Sequence, residues 1–98
     1  MKPTSTPWGK PDHCEKIAAG IYSLSTLSHG GFYLTPERNA QVPASHRAAS
    51  FDRQGERGFY EEDCDWCMIP LAFPDAFPPA ILQAARETFA AWIQPKLS

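Results

Sequence analysis

Hydrophobic and polar residues roughly alternate along residues 21–26, which are rich in β-branched and aromatic side chains. This period-two pattern predicts a β-strand. The segment Ser28-His29-Gly30-Gly31 follows, and its two glycines predict a turn because glycine tolerates positive φ. Phe32-Tyr33-Leu34 then predicts a returning strand, so the sequence predicts a β-hairpin over residues 21–34.

The segments that flank this hairpin carry weaker patterns. Residues 12–19 fit a strand or a short helix, which ends at Gly20. Residues 1–11 contain three prolines and predict an extended arm, with Trp8 large enough to pin the arm to the body of the protein. Residues 51–58 are rich in glycine and charge and predict an exposed, mobile loop that leads into a short strand at Phe59-Tyr60.

Two helices are predicted in the second half of the chain. The first begins at Glu61, where three carboxylates in the first turn suit the positive end of the helix dipole, and Pro70 kinks or ends it. The second opens at Pro78-Pro79 and closes at Pro95. Apolar residues recur along it at intervals of three and four, which is typical of an amphipathic helix: Ile81, Leu82, Ala85, Phe89, Trp92 and Ile93.

Length and composition are those of an ordinary globular protein. The chain has 98 residues, of which 43% are apolar and 20% charged, so we expect a single domain over residues 1–98. The predicted fold class is α+β. A small antiparallel sheet built on the hairpin would be packed by the short acidic helix and the amphipathic C-terminal helix.

Charge is unevenly distributed along the chain. The net charge is −2, and neither lysine nor arginine occurs between Glu61 and Ala85. This distribution argues against direct binding of nucleic acid and favours a protein partner with a basic surface. No apolar run is long enough to cross a bilayer, and no apolar segment follows the N-terminus as in a signal peptide, so we expect a cytoplasmic protein without membrane contact.

Five segments of the chain, taken in this order, carry a resemblance to other proteins. They are Thr6-Pro7-Trp8-Gly9, Ser25 to Phe32, Asn39-Ala40-Gln41-Val42-Pro43, Tyr60 to Trp66 and Ala72-Phe73-Pro74. Together they resemble a small family of unknown function found in bacterial plasmids, prophages and other mobile elements. The resemblance implies no activity, substrate or catalytic residue. It does imply a genomic setting in which small proteins often bind host or defence machinery, anti-CRISPR inhibitors among them.

Cys64 and Cys67 form a CxxC motif. On a helix the two thiols would share one face, as a metal site or a redox pair requires. A zinc site needs two further ligands, available from His13, Cys14, His29 and His46, but the spacing of a zinc finger or a thioredoxin-like motif is missing. We therefore favour buried structural thiols and no cofactor; the metal set, if one exists, is Cys64, Cys67 and His29.

His29 also permits an enzymatic interpretation. It could act as a base, with Cys64 as the nucleophile and Glu62 or Asp63 orienting it, because such triads are defined by geometry and not by order in the sequence. No supporting catalytic motif is present. A histidine that only hydrogen-bonds a carboxylate near a turn is the favoured interpretation, and a small metal- or thiol-dependent enzyme is the alternative.

The acidic stretch and the hairpin turn are the predicted binding surface. Its carboxylates could bind a divalent cation, but we favour a structural interpretation, in which some neutralise Arg47, Arg53 or Arg57 and the others are solvated. The functional interpretation is that they present negative charge to a basic partner. Trp66 follows them, either as a buried anchor, which we favour, or as an exposed binding residue. The predicted function is a non-enzymatic protein-binding module, such as a counter-defence inhibitor. The predicted partner-binding residues are Glu61, Glu62, Asp63, Asp65, Ser28, His29 and Gly30.

Overall fold

The computed structural model describes residues 2–52 and 55–97. Nine strands and α-helices follow one another in that part of the chain, with short 3₁₀ turns at Asp65–Cys67 and Pro74–Ala76. They are β1 (His13–Ala18), β2 (Ile21–Ser25), β3 (Gly30–Leu34), α1 (Pro36–Asn39), α2 (Ala44–Ala48), β4 (Phe59–Glu61), α3 (Met68–Ala72), α4 (Pro79–Thr88) and, after a π-helical turn at Phe89–Ile93, α5 (Gln94–Leu97).

The four strands form one antiparallel sheet in the order β1-β2-β3-β4. The predicted hairpin is present, with Ile21 paired to Leu34 and Ser25 to Gly30. The ambiguous segment before it is a strand, β1, and the short strand predicted at Phe59-Tyr60 pairs with β3. The α+β fold class is thereby confirmed.

Gly30 and Gly31 lie inside β3 and not in the turn, where the sequence predicts them. The absence of a side chain at these two positions lets the backbones of the neighbouring strands β2 and β4 lie close to β3. A Cβ on Gly30 would lie 2.6 Å from the Leu24 carbonyl oxygen, and one on Gly31 would overlap the Tyr60 carbonyl oxygen. Because neither backbone neighbour can retreat without breaking the sheet, β3 accepts only glycine at these positions.

The predicted helix start at Glu61 is wrong. Glu61 ends β4, and the chain turns before the apolar α3 begins at Met68. The Glu61 carboxylate accepts hydrogen bonds from the backbone N–H groups of Asp63, Cys64 and Asp65, at 2.7, 2.6 and 2.9 Å. A side chain that satisfies successive backbone donors stabilises a tight turn in place of a helical one.

The core lies between one face of the sheet and the helices that follow it. Residues from α3, α4 and the C-terminal helical segment meet the buried strand residues there. Its fully or almost fully buried members are Ile21, Leu34, Val42, Tyr60, Cys67, Met68, Ile69, Ala85 and Ile93. Trp66 packs against this cluster only in part. It is therefore neither a fully buried anchor nor a fully exposed side chain, the two alternatives that the sequence left open.

The C-terminal helix does not close at Pro95, since α5 continues past that proline to Leu97, and a π-helical turn precedes α5. The Gln94 N–H donates to the carbonyl of Phe89, five residues earlier. In a continuous α-helix about seven residues make two turns, which would align Trp92 with the buried Ala85. The π-turn inserts one more residue, so Ile93 is buried with 0% exposure and Trp92 is 60% exposed. The predicted core position of Trp92 is therefore wrong.

The N-terminal arm is held by aromatic contacts. The Trp8 ring stacks on Phe51 at 5.8 Å and meets the edge of Phe59 at 5.9 Å, as its size predicts. The segment after Phe51 is not simply exposed, since Asp52 is buried and pairs with Arg57 at 2.7 Å. Arg53, which the sequence places in this loop, lies outside the described residues.

Candidate functional site

The turn that joins β2 and β3 is tied at its base by three hydrogen bonds. The Thr26 N–H and the Thr26 hydroxyl both donate to the His29 carbonyl oxygen, at 2.7 and 2.8 Å. The His29 N–H donates back to the Thr26 hydroxyl oxygen at 3.1 Å. These bonds fix Leu27 and Ser28 at the tip, where the Leu27 side chain is 99% exposed.

Glu62 joins the acidic stretch to the hairpin. Its backbone N–H donates to the Gly30 carbonyl at 3.0 Å, and its carboxylate Oε2 accepts the Gly30 N–H at 2.8 Å. The same oxygen lies 3.8 Å from Nδ1 of His29, and both side chains are about half exposed. Glu62 therefore continues the ladder past β4, with its side chain in the place of a backbone acceptor.

A cleft of about 360 Å³ opens between the hairpin and this segment. Four of the predicted binding residues meet in it, namely Ser28, His29, Gly30 and Glu62. Two neighbours lie outside the predicted set of binding residues, although Trp66 was considered as an exposed binding residue in the alternative interpretation. Trp66 lines the cleft from the 3₁₀ turn, and Leu27 lies at its rim. Leu27 could have been found, since a large apolar residue between polar turn residues is unusual for a solvated turn.

The other three acidic residues have different surroundings. Asp63 is exposed, and Glu61 is half-buried against the turn that its carboxylate stabilises. Asp65 is 1% exposed and accepts hydrogen bonds from the Phe51 N–H at 2.8 Å and the Ser50 hydroxyl at 3.3 Å. Burial raises the pKa of the Asp65 carboxyl. The prediction that Asp65 faces outward is therefore wrong.

The CxxC thiols do not line the cleft. Cys67 is 0% exposed, and burial raises its pKa to about 12. Cys64 is half-buried, and burial, followed by the nearby Glu61, raises its pKa too. Within residues 2–52 and 55–97, no three histidine, cysteine or acidic side chains form a group that could hold a metal ion. The structure thus does not gather Cys64, Cys67 and His29 into one site.

Comparison with known proteins identifies a family whose function is unknown. A family described as a domain of unknown function (DUF7007) matches residues 1–96, and the chain belongs to that family. No curated protein and no solved structure matches the chain. None of the helices in the described ranges has the length and apolar character needed to span a membrane.

Proposed function

We propose that this member of a family of unknown function is a non-enzymatic protein-binding module. It docks through the tip of the β2–β3 hairpin and the adjoining cleft onto a partner with a basic surface. The exposed side chain of Leu27, on a turn fixed by three hydrogen bonds, is the observation that supports this most strongly.

Leu27 has the properties of an interface anchor. An apolar side chain gains free energy when a partner removes it from water. The turn that carries it is already ordered by Thr26 and His29, so little conformational entropy is lost on binding. A fully exposed leucine brings the protein no folding stability, which favours a role in recognition.

The charge around the tip favours a basic partner. Glu62 and Asp63 are exposed beside the cleft, and no lysine or arginine follows them until Arg86. Such a segment attracts cationic surfaces over long range and repels the phosphates of nucleic acid. The partner is thus a protein and not a nucleic acid.

The biological setting follows from the resemblance to proteins of plasmids and prophages. In that setting the partner is a host or defence protein, and the module acts as a counter-defence inhibitor of the anti-CRISPR kind. Small size and a rigid, pre-formed tip suit inhibition by occupation of a target surface.

The enzymatic alternative lacks a nucleophile in the right place. A thiol must ionise to attack, and the raised pKa of both Cys64 and Cys67 keeps them protonated near neutral pH. Neither lines the cleft that His29 enters. A binding role therefore accounts for the cleft with fewer assumptions.

The proposal is tested by affinity capture from a bacterial lysate with three immobilised baits: wild type, Leu27→Asp and Leu97→Asp. Leu97 is 41% exposed in α5 and provides the matched control for replacing an exposed leucine. We expect a stoichiometric protein captured by wild type and Leu97→Asp and lost with Leu27→Asp. Absence of any such protein, or equal capture by Leu27→Asp, contradicts the proposal.

A further inference from the structure

We infer that the cleft beside the hairpin receives one arginine side chain from the partner protein. This inference rests on the proposed function, since it specifies what the protein partner presents. It follows from the charge, the aromatic wall and the size of the cleft.

Glu62 gives the cleft its charge preference. It is the single acidic side chain among the lining residues, and His29 is the other titratable one. Oε2 of Glu62 is engaged by the Gly30 N–H and lies near His29. Its second oxygen, Oε1, accepts no hydrogen bond from any residue of the described ranges. The hydrogen bond to Oε2 holds the carboxylate in position, and Oε1 is therefore available to a cation.

Trp66 supplies the aromatic wall. Trp66 lines the cleft and packs in part against the core, so the buried portion of the residue holds it in place. A guanidinium stacks on an indole more readily than a compact ammonium does, because it is planar and more weakly hydrated. The pair of Glu62 and Trp66 thus favours arginine over lysine.

The hydroxyl groups of the lining add acceptors. Ser23 and Ser28 both line the cleft, and the Ser28 hydroxyl makes no hydrogen bond to another residue of the described part of the chain. Arginine carries five N–H donors in a fixed fork, whereas lysine carries three on one nitrogen. A lining with several acceptor groups suits the five donors of a guanidinium better than the three donors of an ammonium.

The size of the cleft limits what it can hold. At about 360 Å³ it lies near the lower end of the range for ligand pockets, which is roughly 300–1,000 Å³. One long side chain fits this space, and the rest of the partner would then lie over the rim formed by Leu27. One surface of the partner would therefore contact both the apolar Leu27 side chain and the cleft that contains Glu62.

Capped tripeptides test the inference without the unidentified partner. Ala-Arg-Ala, Ala-Lys-Ala and Ala-citrulline-Ala are titrated into the protein while NMR follows the Trp66 indole N–H and the Gly30 amide. Citrulline keeps the shape of arginine and removes its charge. The protein variants are Glu62→Gln, in which the amide oxygen can still accept the Gly30 N–H, and Glu37→Gln, the same change at an exposed site of α1 away from the cleft.

We expect saturable shifts with the arginine peptide and none with the citrulline peptide. Loss of the charge-assisted bond in Glu62→Gln should weaken binding of the arginine peptide about tenfold or more, with Glu37→Gln unchanged. Equal binding of arginine and lysine peptides, or of wild type and Glu62→Gln, overturns the inference. Capture of a partner that is lost with Leu27→Asp but retained by Glu62→Gln would preserve the binding module and remove the arginine pocket.

Discussion

Glu62 binds Gly30 twice, once through its backbone N–H and once through its carboxylate Oε2, at 3.0 and 2.8 Å. This pair holds the acidic segment against the hairpin after β4 has ended. The same two residues form part of the lining of the cleft.

The side-chain half of this pair should contribute measurably to stability. Glu62→Ala removes the acceptor of the Gly30 N–H, and we expect a loss of about 1 kcal/mol because the carboxylate is half exposed. Glu62→Gln keeps an acceptor and should lose less. Urea denaturation measures the two differences, and hydrogen exchange at Gly30 locates them. Equal stability of Glu62→Ala and wild type, with unchanged Gly30 exchange, would show that the bond is absent in solution.

The buried carboxyl of Asp65 predicts a pH dependence of stability. Burial raises its folded-state pKa above the unfolded value of 3.8, so the folded protein binds more protons between the two values. Stability therefore decreases as the pH rises through the folded pKa, and this penalty is absent below the unfolded pKa. In urea denaturation from pH 3 to 7, the stability of Asp65→Asn relative to wild type should increase with pH. A pH-independent difference would contradict the assignment.

His46 predicts the opposite slope at higher pH. Its ring lies 5.0 Å from the ring of Phe89, and burial lowers the pKa of its imidazole below 6.5. The stabilising neutral form is fully present above the unfolded pKa, and stability is lost as the pH falls through the folded pKa. His46→Phe keeps an aromatic contact without a titrating group, so its stability relative to wild type should increase on going from pH 7.5 to 5. A constant difference over this range would exclude a role for the His46 proton.

The π-turn predicts which of two neighbouring residues matters for stability. Ile93→Ala should cost about 2–5 kcal/mol, because Ile93 is fully buried. Trp92→Gln should change the free energy of unfolding by no more than about 0.5 kcal/mol, because Trp92 is 60% exposed. A continuous α-helix would give the reverse order. Thermal and urea denaturation of the two variants distinguish the two registers.

Local patterns predicted the hairpin, the strand at Phe59-Tyr60 and the amphipathic C-terminal helix. Each depends on side chains that are close in sequence, so alternation or a three-to-four repeat is enough to predict it. The prediction that a helix starts at Glu61 was wrong, and the reason also lies in residues close in sequence. Carboxylates suit a helix N-terminus, but the Glu61 side chain satisfies three backbone N–H groups in a non-helical turn.

The structure brings together four of the seven predicted binding residues. Ser28, His29, Gly30 and Glu62 meet at the cleft, whereas Asp65 is buried under the Phe51 segment. Charge alone could not separate these acidic residues, because exposure depends on which segment lies over each carboxylate. Leu27 and Trp66 line the same cleft because the fold brings the turn and the 3₁₀ segment together.

The sequence by itself determined the fold class, the hairpin and an acidic segment that is followed by no lysine or arginine until Arg86, because these follow from residue order, spacing and composition. Only the tertiary structure decided which carboxylates face solvent, which residue of the Trp92-Ile93 pair enters the core, and where the hairpin meets Glu62. Those outcomes depend on contacts between segments far apart in the chain, such as Gly30 with Glu62 and Phe51 with Asp65. No local pattern encodes which distant backbone group a side chain will satisfy.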